Sequence, residues 1–216
     1  MENNRYEGKI KKVEDRLLTM CFLAQKAIEK SIIALKNKDK ELAKEIIIND
    51  KDIDDLNREI ENSCLNILLM YQPYASEFRE ISGALKMITD LERIGDYAVD
   101  IAEIVLTFKD EDYIKKVEHI PLMGNLIIDM VKDSVQAFIN KDYESARLLN
   151  EKDDKVDEIF AGIKEELVKL ICINNANIEQ AINFMMIAKY LERIGDHAVN
   201  IGEWVDYEVT GSHQES

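Results

Sequence analysis

The string LERIGD occurs twice in this chain of 216 residues, at Leu91 to Asp96 and at Leu191 to Asp196. Each copy lies in a longer related string, LERIGDYAVDIAE and then LERIGDHAVNIGEW. On a helix every residue advances by about 100°. With Glu92 at zero, Glu103 falls near ~20°, Asp96 near ~40° and Asp100 near ~80°, while Ile94, Ala98, Ile101 and Val105 gather on roughly the opposite side. The spacing predicts a carboxylate stripe facing away from the apolar core, repeated by Glu192 and Asp196.

Such a stripe is costly unless something occupies it. Like charges at i and i+4 destabilise a helix by a few tenths of a kcal/mol, and a helical glycine costs about 1 kcal/mol relative to alanine. Both defects recur, at Gly95 and at Gly195. A bound cation would turn the repulsion into attraction. Asp50 and Asp54 form another pair four residues apart, matched by Asp153 and Asp157. If the helices bearing these pairs pack antiparallel to the LERIGD helices, carboxylates converge across a groove once in each half. Hard oxygen donors suit magnesium, manganese, calcium or iron, and clustered carboxylates suit more than one ion. In a chain with 33% charged residues a single acidic pair is ordinarily a solvated face. Four pairs at equivalent positions favour metal binding. Arg93 and Arg193 offer the competing possibility of pairing with neighbouring acids.

The elements that must position these acids follow from self-similarity. SIIALKNKD at Ser31 to Asp39 matches SVQAFINKD at Ser134 to Asp142 with an offset of 103, whereas the LERIGD copies lie 100 apart, which places a three-residue gap near NNAN. Within each copy the apolar spacing predicts three helices. The first carries Ile10, Val13, Leu17, Met20, Ala24 and Ile28 and ends near KNKDK; the second runs from about Glu41 to Met70. Pro73 stops it, and Ser76 is placed to cap a third helix reaching roughly Lys109. The second copy is expected from Pro121 to about Glu208, after a linker DEDYIKKVEHIP. The expected fold is all-α, with two tandem, pseudo-symmetric antiparallel three-helix bundles over residues 1–112 and 113–216. Only eight Gly and two Pro among 216 residues agree with long helices.

The net charge of −15 repels phosphate backbones and anionic membranes, so nucleic-acid binding is not expected. Cys21, Cys64 and Cys172 lie far apart in apolar helical pattern and are expected to be buried free thiols. No run of about 18 apolar residues is present, and MENNRYEGKIKKVED lacks the core of a signal peptide, which predicts a cytoplasmic protein without direct membrane insertion. His197 projects about 100° beyond Asp196 and is expected to pack or bond between helices. His119 falls in the expected linker, and Trp204 is expected to pack at a bundle contact.

The double ERIGD motif, the close GDHAVNIGEWVDYEVTG and the Asp-x-x-Ile/Val-Asp segments resemble the PhoU family of phosphate-uptake regulators, in both halves of the chain. The resemblance implies a first metal site of Asp50, Asp54, Glu92 and Asp96, extended by Asp100, and a second of Asp153, Asp157, Glu192 and Asp196. Divalent or ferric ions are implied: iron, zinc, manganese or magnesium. Asn200 stands where the first copy has Asp100, and Lys164 where it has Glu61, so the second site is expected to bind less strongly. The resemblance also implies a homodimeric adaptor that meets the phosphate transporter ATPase and a sensor histidine kinase, and that negatively regulates phosphate uptake and the starvation response. No catalytic residues are expected. Two other readings are a carboxylate-bridged di-iron enzyme, which ordinarily uses Glu-x-x-His motifs absent here, and a metal-free helical scaffold.

Overall fold

Asp39 and Asp142, equivalent in the repeat, each start a helix by accepting a hydrogen bond from the backbone N–H three residues on, Leu42 at 2.9 Å and Ser145 at 3.1 Å. The preceding Lys38 and Lys141 adopt positive φ (54° and 53°) and end the helices before them. The computed structural model describes residues 2–109, 111–114 and 118–211. Its helices are α1 (Glu2–Asn37), α2 (Lys40–Tyr71), α3 (Ala75–Thr107), α4 (His119–Asn140), α5 (Tyr143–Ile173) and α6 (Ile178–Thr210). A 3₁₀ turn, Asn175–Asn177, sits where the repeat loses three residues.

Several boundaries differ from expectation. Ser76 does not cap α3: Tyr74 precedes the helix, and its N–H donates to the Glu77 carboxylate at 3.1 Å. His119 begins α4, so Pro121 lies inside its first turn, where the missing N–H has no helical partner to lose. Of the expected linker, Tyr113 and Ile114 pack on the core, while residues 110 and 115–117 lie outside the described ones. Cys172 is exposed rather than buried, because it falls at the outer edge of the last turns of α5; Cys21 and Cys64 are buried as expected.

In each half three helices pack antiparallel, and the halves then share one continuous core. Helix α2 packs on α1 and α3, and α5 on α4 and α6, so both lie outermost. The halves meet where α3 crosses α6 and α1 crosses α4. The α3–α6 seam carries a hydrogen bond of 2.8 Å between Asp90 Oδ1 and His197 Nδ1 and a stacked pair, Tyr97 and Tyr190, with ring centroids 5.6 Å apart. His197 therefore bonds between helices, as its position suggested. Trp204 is partly buried against the core, with the Lys86 ammonium 5.8 Å from its ring centre.

Gly83 of α3 meets α4 of the other half: a Cβ there would stand 2.7 Å from Cε2 of the Phe138 ring. Gly162, within α5, has nothing within 4 Å of the same point. Gly83→Ala is expected to lower stability by about 1–3 kcal/mol through overpacking, and Gly162→Ala to raise it by up to about 1 kcal/mol through helix propensity. Urea denaturation of both variants measures the contrast.

Candidate functional site

The glycine of each LERIGD string is a packing position. A Cβ on Gly95 would lie 2.9 Å from Ile53 Cδ1 and 3.1 Å from Asp50 Oδ1; a Cβ on Gly195 would lie 3.0 Å from Asp153 Oδ1. Each glycine lets the outer helix press its aspartate down onto the backbone of its neighbour. Asp50 and Asp153 lose water as a result. Burial first, and neighbouring carboxylates second, push both up to about 6. The acting neighbours are Asp54, Asp96 and Glu92 for Asp50, and Asp196, Asp157, Glu192 and Asp154 for Asp153. The α2 and α3 acids therefore do face one another across a groove, as do those of α5 and α6.

Two expectations change. The stripe does not stand open on the far side from the core: Glu92, Asp96, Glu192 and Asp196 are half-buried, because α2 and α5 lie along that flank. Asp100 lies further along α3, where with Glu103 it acts on Tyr190 across the α3–α6 seam rather than on Asp50. Burial, then Glu103 and Asp96, push its own carboxyl upward. Asp54 and Asp157 complete the outer-helix pairs, Asp157 fully at the exposed rim.

Resident groups already answer part of the negative charge. Arg93 pairs with Asp96 at 2.9 Å and Arg193 with Asp196 at 3.3 Å, each three residues along its own helix. Arg58 reaches Asp54 at 3.7 Å. Two further partners were not singled out in the sequence. Asn57 donates to Glu92 at 2.5 Å, and Lys189 pairs with Glu192. Asn57 is three residues after Asp54 and Lys189 three before Glu192, so the same helical spacing that singles out the acids also covers these partners. The halves are thus unequal: an amide holds Glu92, whereas an ammonium neutralises Glu192 and lies 5.6 Å from the Phe160 ring centre.

The donor chemistry fits a hard cation. Asp153 Oδ1 is buried without a hydrogen-bond partner, and Asp50 and Asp153 sit among carboxylates that repel them. The side-chain positions are not those of an assembled site: among the described residues no three His, Cys, Asp or Glu side chains gather closely enough to hold an ion. The arginines hold Asp96 and Asp196 through Oδ2 alone, and such half-exposed pairs are worth little.

Two pseudo-symmetric three-helix units, each with a desolvated carboxylate groove on its outer seam, define the class of protein. Family comparison agrees with that architecture: the PhoU domain model matches residues 17–105 and 120–205, one copy in each half. The chain belongs to the PhoU family. It is 35% identical to the phosphate-specific transport system accessory protein PhoU homolog of Clostridium acetobutylicum, over 98% of this chain and 97% of that one. Identity to PhoU of Escherichia coli is 28%, over 97% and 87%. The crystal structure of PhoU from Pseudomonas aeruginosa superposes with a TM-score of 0.90 at 31% identity, covering 96% of this chain and all (100%) of that one. The phosphate transport system regulatory protein PhoU from Streptococcus pneumoniae gives 0.91 at 28% identity, covering 98% of this chain.

The raised carboxyls carry a consequence for stability. The folded state holds a proton on Asp153 up to about pH 6, well above the ordinary aspartate range. Folding therefore takes up protons between the ordinary value and 6, and stability falls as pH rises through that window. Above it the cost is constant. Asp153→Asn removes the charge, so it is expected to raise stability at pH 7 to 8 by on the order of 1 kcal/mol, allowing for solvent screening. Little gain is expected near pH 4. Thermal unfolding in chelator at several pH values measures the difference.

Proposed function

We propose that this protein is a non-enzymatic adaptor of a phosphate-specific transport system. It acts in the cytoplasm, as a homodimer, and restrains phosphate uptake and the phosphate-starvation response. Its partners in this reading are the transporter ATPase and a sensor histidine kinase. The observation that carries it is correspondence over nearly the whole chain, in both halves, with relatives named as accessory or regulatory proteins of phosphate transport. Among the described residues no helix is long and apolar enough to cross a membrane, in keeping with an accessory role beside membrane components.

In this reading the carboxylate grooves hold metal ions. Asp50, Asp54, Glu92 and Asp96 supply oxygens to the first, and Asp153, Asp157, Glu192 and Asp196 to the second. A divalent or ferric ion held by these carboxylates would supply positive charge against the facing acids. Were Asp96 and Asp196 to give up their arginines to an ion, the Arg93 and Arg193 guanidinium groups would be available to a partner. A second reading is supported by the arginine pairs themselves: the grooves dock a basic partner surface directly, without metal.

Metal analysis separates the two. Purified protein incubated with manganese or ferric ion and then desalted is expected to retain metal, and Glu92→Ala with Asp96→Ala to lose the share of the first groove with helical content unchanged. Equal metal content in both proteins would remove the first groove from the reading. In cells, deletion is expected to leave starvation genes active in abundant phosphate; a transcriptional reporter showing normal repression would contradict the regulatory role.

A further inference from the structure

Repeat symmetry places the same lysine at the two opposite ends of the molecule, in two different environments. Lys38 ends α1 and Lys141 ends α4, both in the left-handed conformation. At the first end the Lys38 ammonium donates to the Glu111 carbonyl and lies 4.6 Å from the Tyr113 ring centre. Tyr113 packs edge-on to Phe108 and Phe184 at 5.0 and 5.2 Å, and Gln180 receives the Ile114 N–H at 3.0 Å. That end also carries the chain connection between the halves.

At the opposite end the equivalents of Phe108 and Gln180 are Glu208 and Glu80. Lys141 reaches both, Glu208 Oε1 at 2.9 Å and Glu80 Oε2 at 3.1 Å. The Glu208 side chain is 3% exposed and Lys141 50% exposed. Arg79 donates to the Glu208 carbonyl at 3.1 Å. Glu14 of α1 adds a third carboxylate, acted on by Glu80 and Lys141. Four helices therefore meet at one ammonium, and Glu208 lies near the negative end of the α6 dipole, where an acid is disfavoured.

We propose that the halves are joined by a fixed pivot at the Lys38 end and an ionic latch at the Lys141 end, so that the α3–α6 seam parts from the latch. Opening the pivot exposes aromatic surface with no return from hydration. Opening the latch also uncovers Ile81 and Phe138, but it rehydrates a buried carboxylate and an ammonium, which recovers much of what burying them cost. No covalent connection between the halves restrains the latch end. Withdrawing Lys141 leaves Glu208 buried beside Glu80 and Glu14 without its cation, and the last turns of α6 must move to reach water.

Hydrogen exchange on the full chain tests this. Lys141→Met is expected to speed amide exchange at residues 205–211 and 76–84 by at least about tenfold while leaving residues 104–114 unchanged, since only the former lose protection when the seam parts. Adding Glu208→Gln to Lys141→Met is expected to restore slow exchange, because the orphaned charge is gone. Lys38→Met keeps an apolar chain on Tyr113 and is expected to change neither end. Equal acceleration at both ends, no acceleration, or no recovery with Glu208→Gln would overturn the latch. Should Lys141→Met not fold, Lys141→Gln, which removes the charge and keeps a polar side chain beside Glu208, gives the same discrimination. Faster exchange confined to residues 205–211 and 76–84 supports the latch, and uniform or absent change rejects it.

Discussion

Asp50 and Asp153 are pressed against the backbone of a neighbouring helix, and that contact exists because the neighbour has glycine there. A methyl group at Gly95 or Gly195 would meet the aspartate oxygen or the adjacent isoleucine or valine side chain. The glycine is costly within its helix, and the aspartate is costly in its groove. Both costs fall in the same place, twice, and the remainder of each three-helix unit holds them together through a core of isoleucine, leucine, alanine and methionine.

The repeated grooves are equivalent in backbone and unequal in charge. Thr89 occupies the position that Lys189 takes in the second half, so only Glu192 has an ammonium beside it. Asn57 takes the corresponding role at Glu92 as a neutral donor. Asp100, with no acidic counterpart at Asn200, turns its charge toward Tyr190 at the seam between halves. Duplication has preserved the packing geometry, which tolerates little change, while the polar groups around it have diverged. The same division runs through the molecule's two ends, where one lysine position is kept and its surroundings are aromatic at one end and acidic at the other.

The α3–α6 crossing gives the halves their relation. Asp90 with His197 and Tyr97 with Tyr190 lie along this crossing, and Gly83 of α3 meets Phe138 of α4 beside it. These residues belong to neither carboxylate groove, yet they fix how far apart the grooves stand and which way each faces. Two similar surfaces joined across one seam can be engaged together only at the spacing and orientation that the seam allows.

Periodicity in the sequence was sufficient to define six helices, their pairing in two repeats, and the acidic stripes, because amphipathic spacing and a duplicated motif are local and survive without knowledge of neighbours. Proline at position 73 and the polar stretch KNKDK placed the first two turns closely. The cap of α3 escaped, since a glutamate at position 77 serving Tyr74 competes with a plausible serine. Local spacing also left the carboxylates facing open water. Only the packed helices decided that α2 and α5 lie along that flank, that Asp50 and Asp153 are desolvated there, and that Lys189 and Asn57 answer different glutamates. The physical reason is that a helix fixes the direction of its own side chains, whereas their hydration and charge depend on what another helix brings against them.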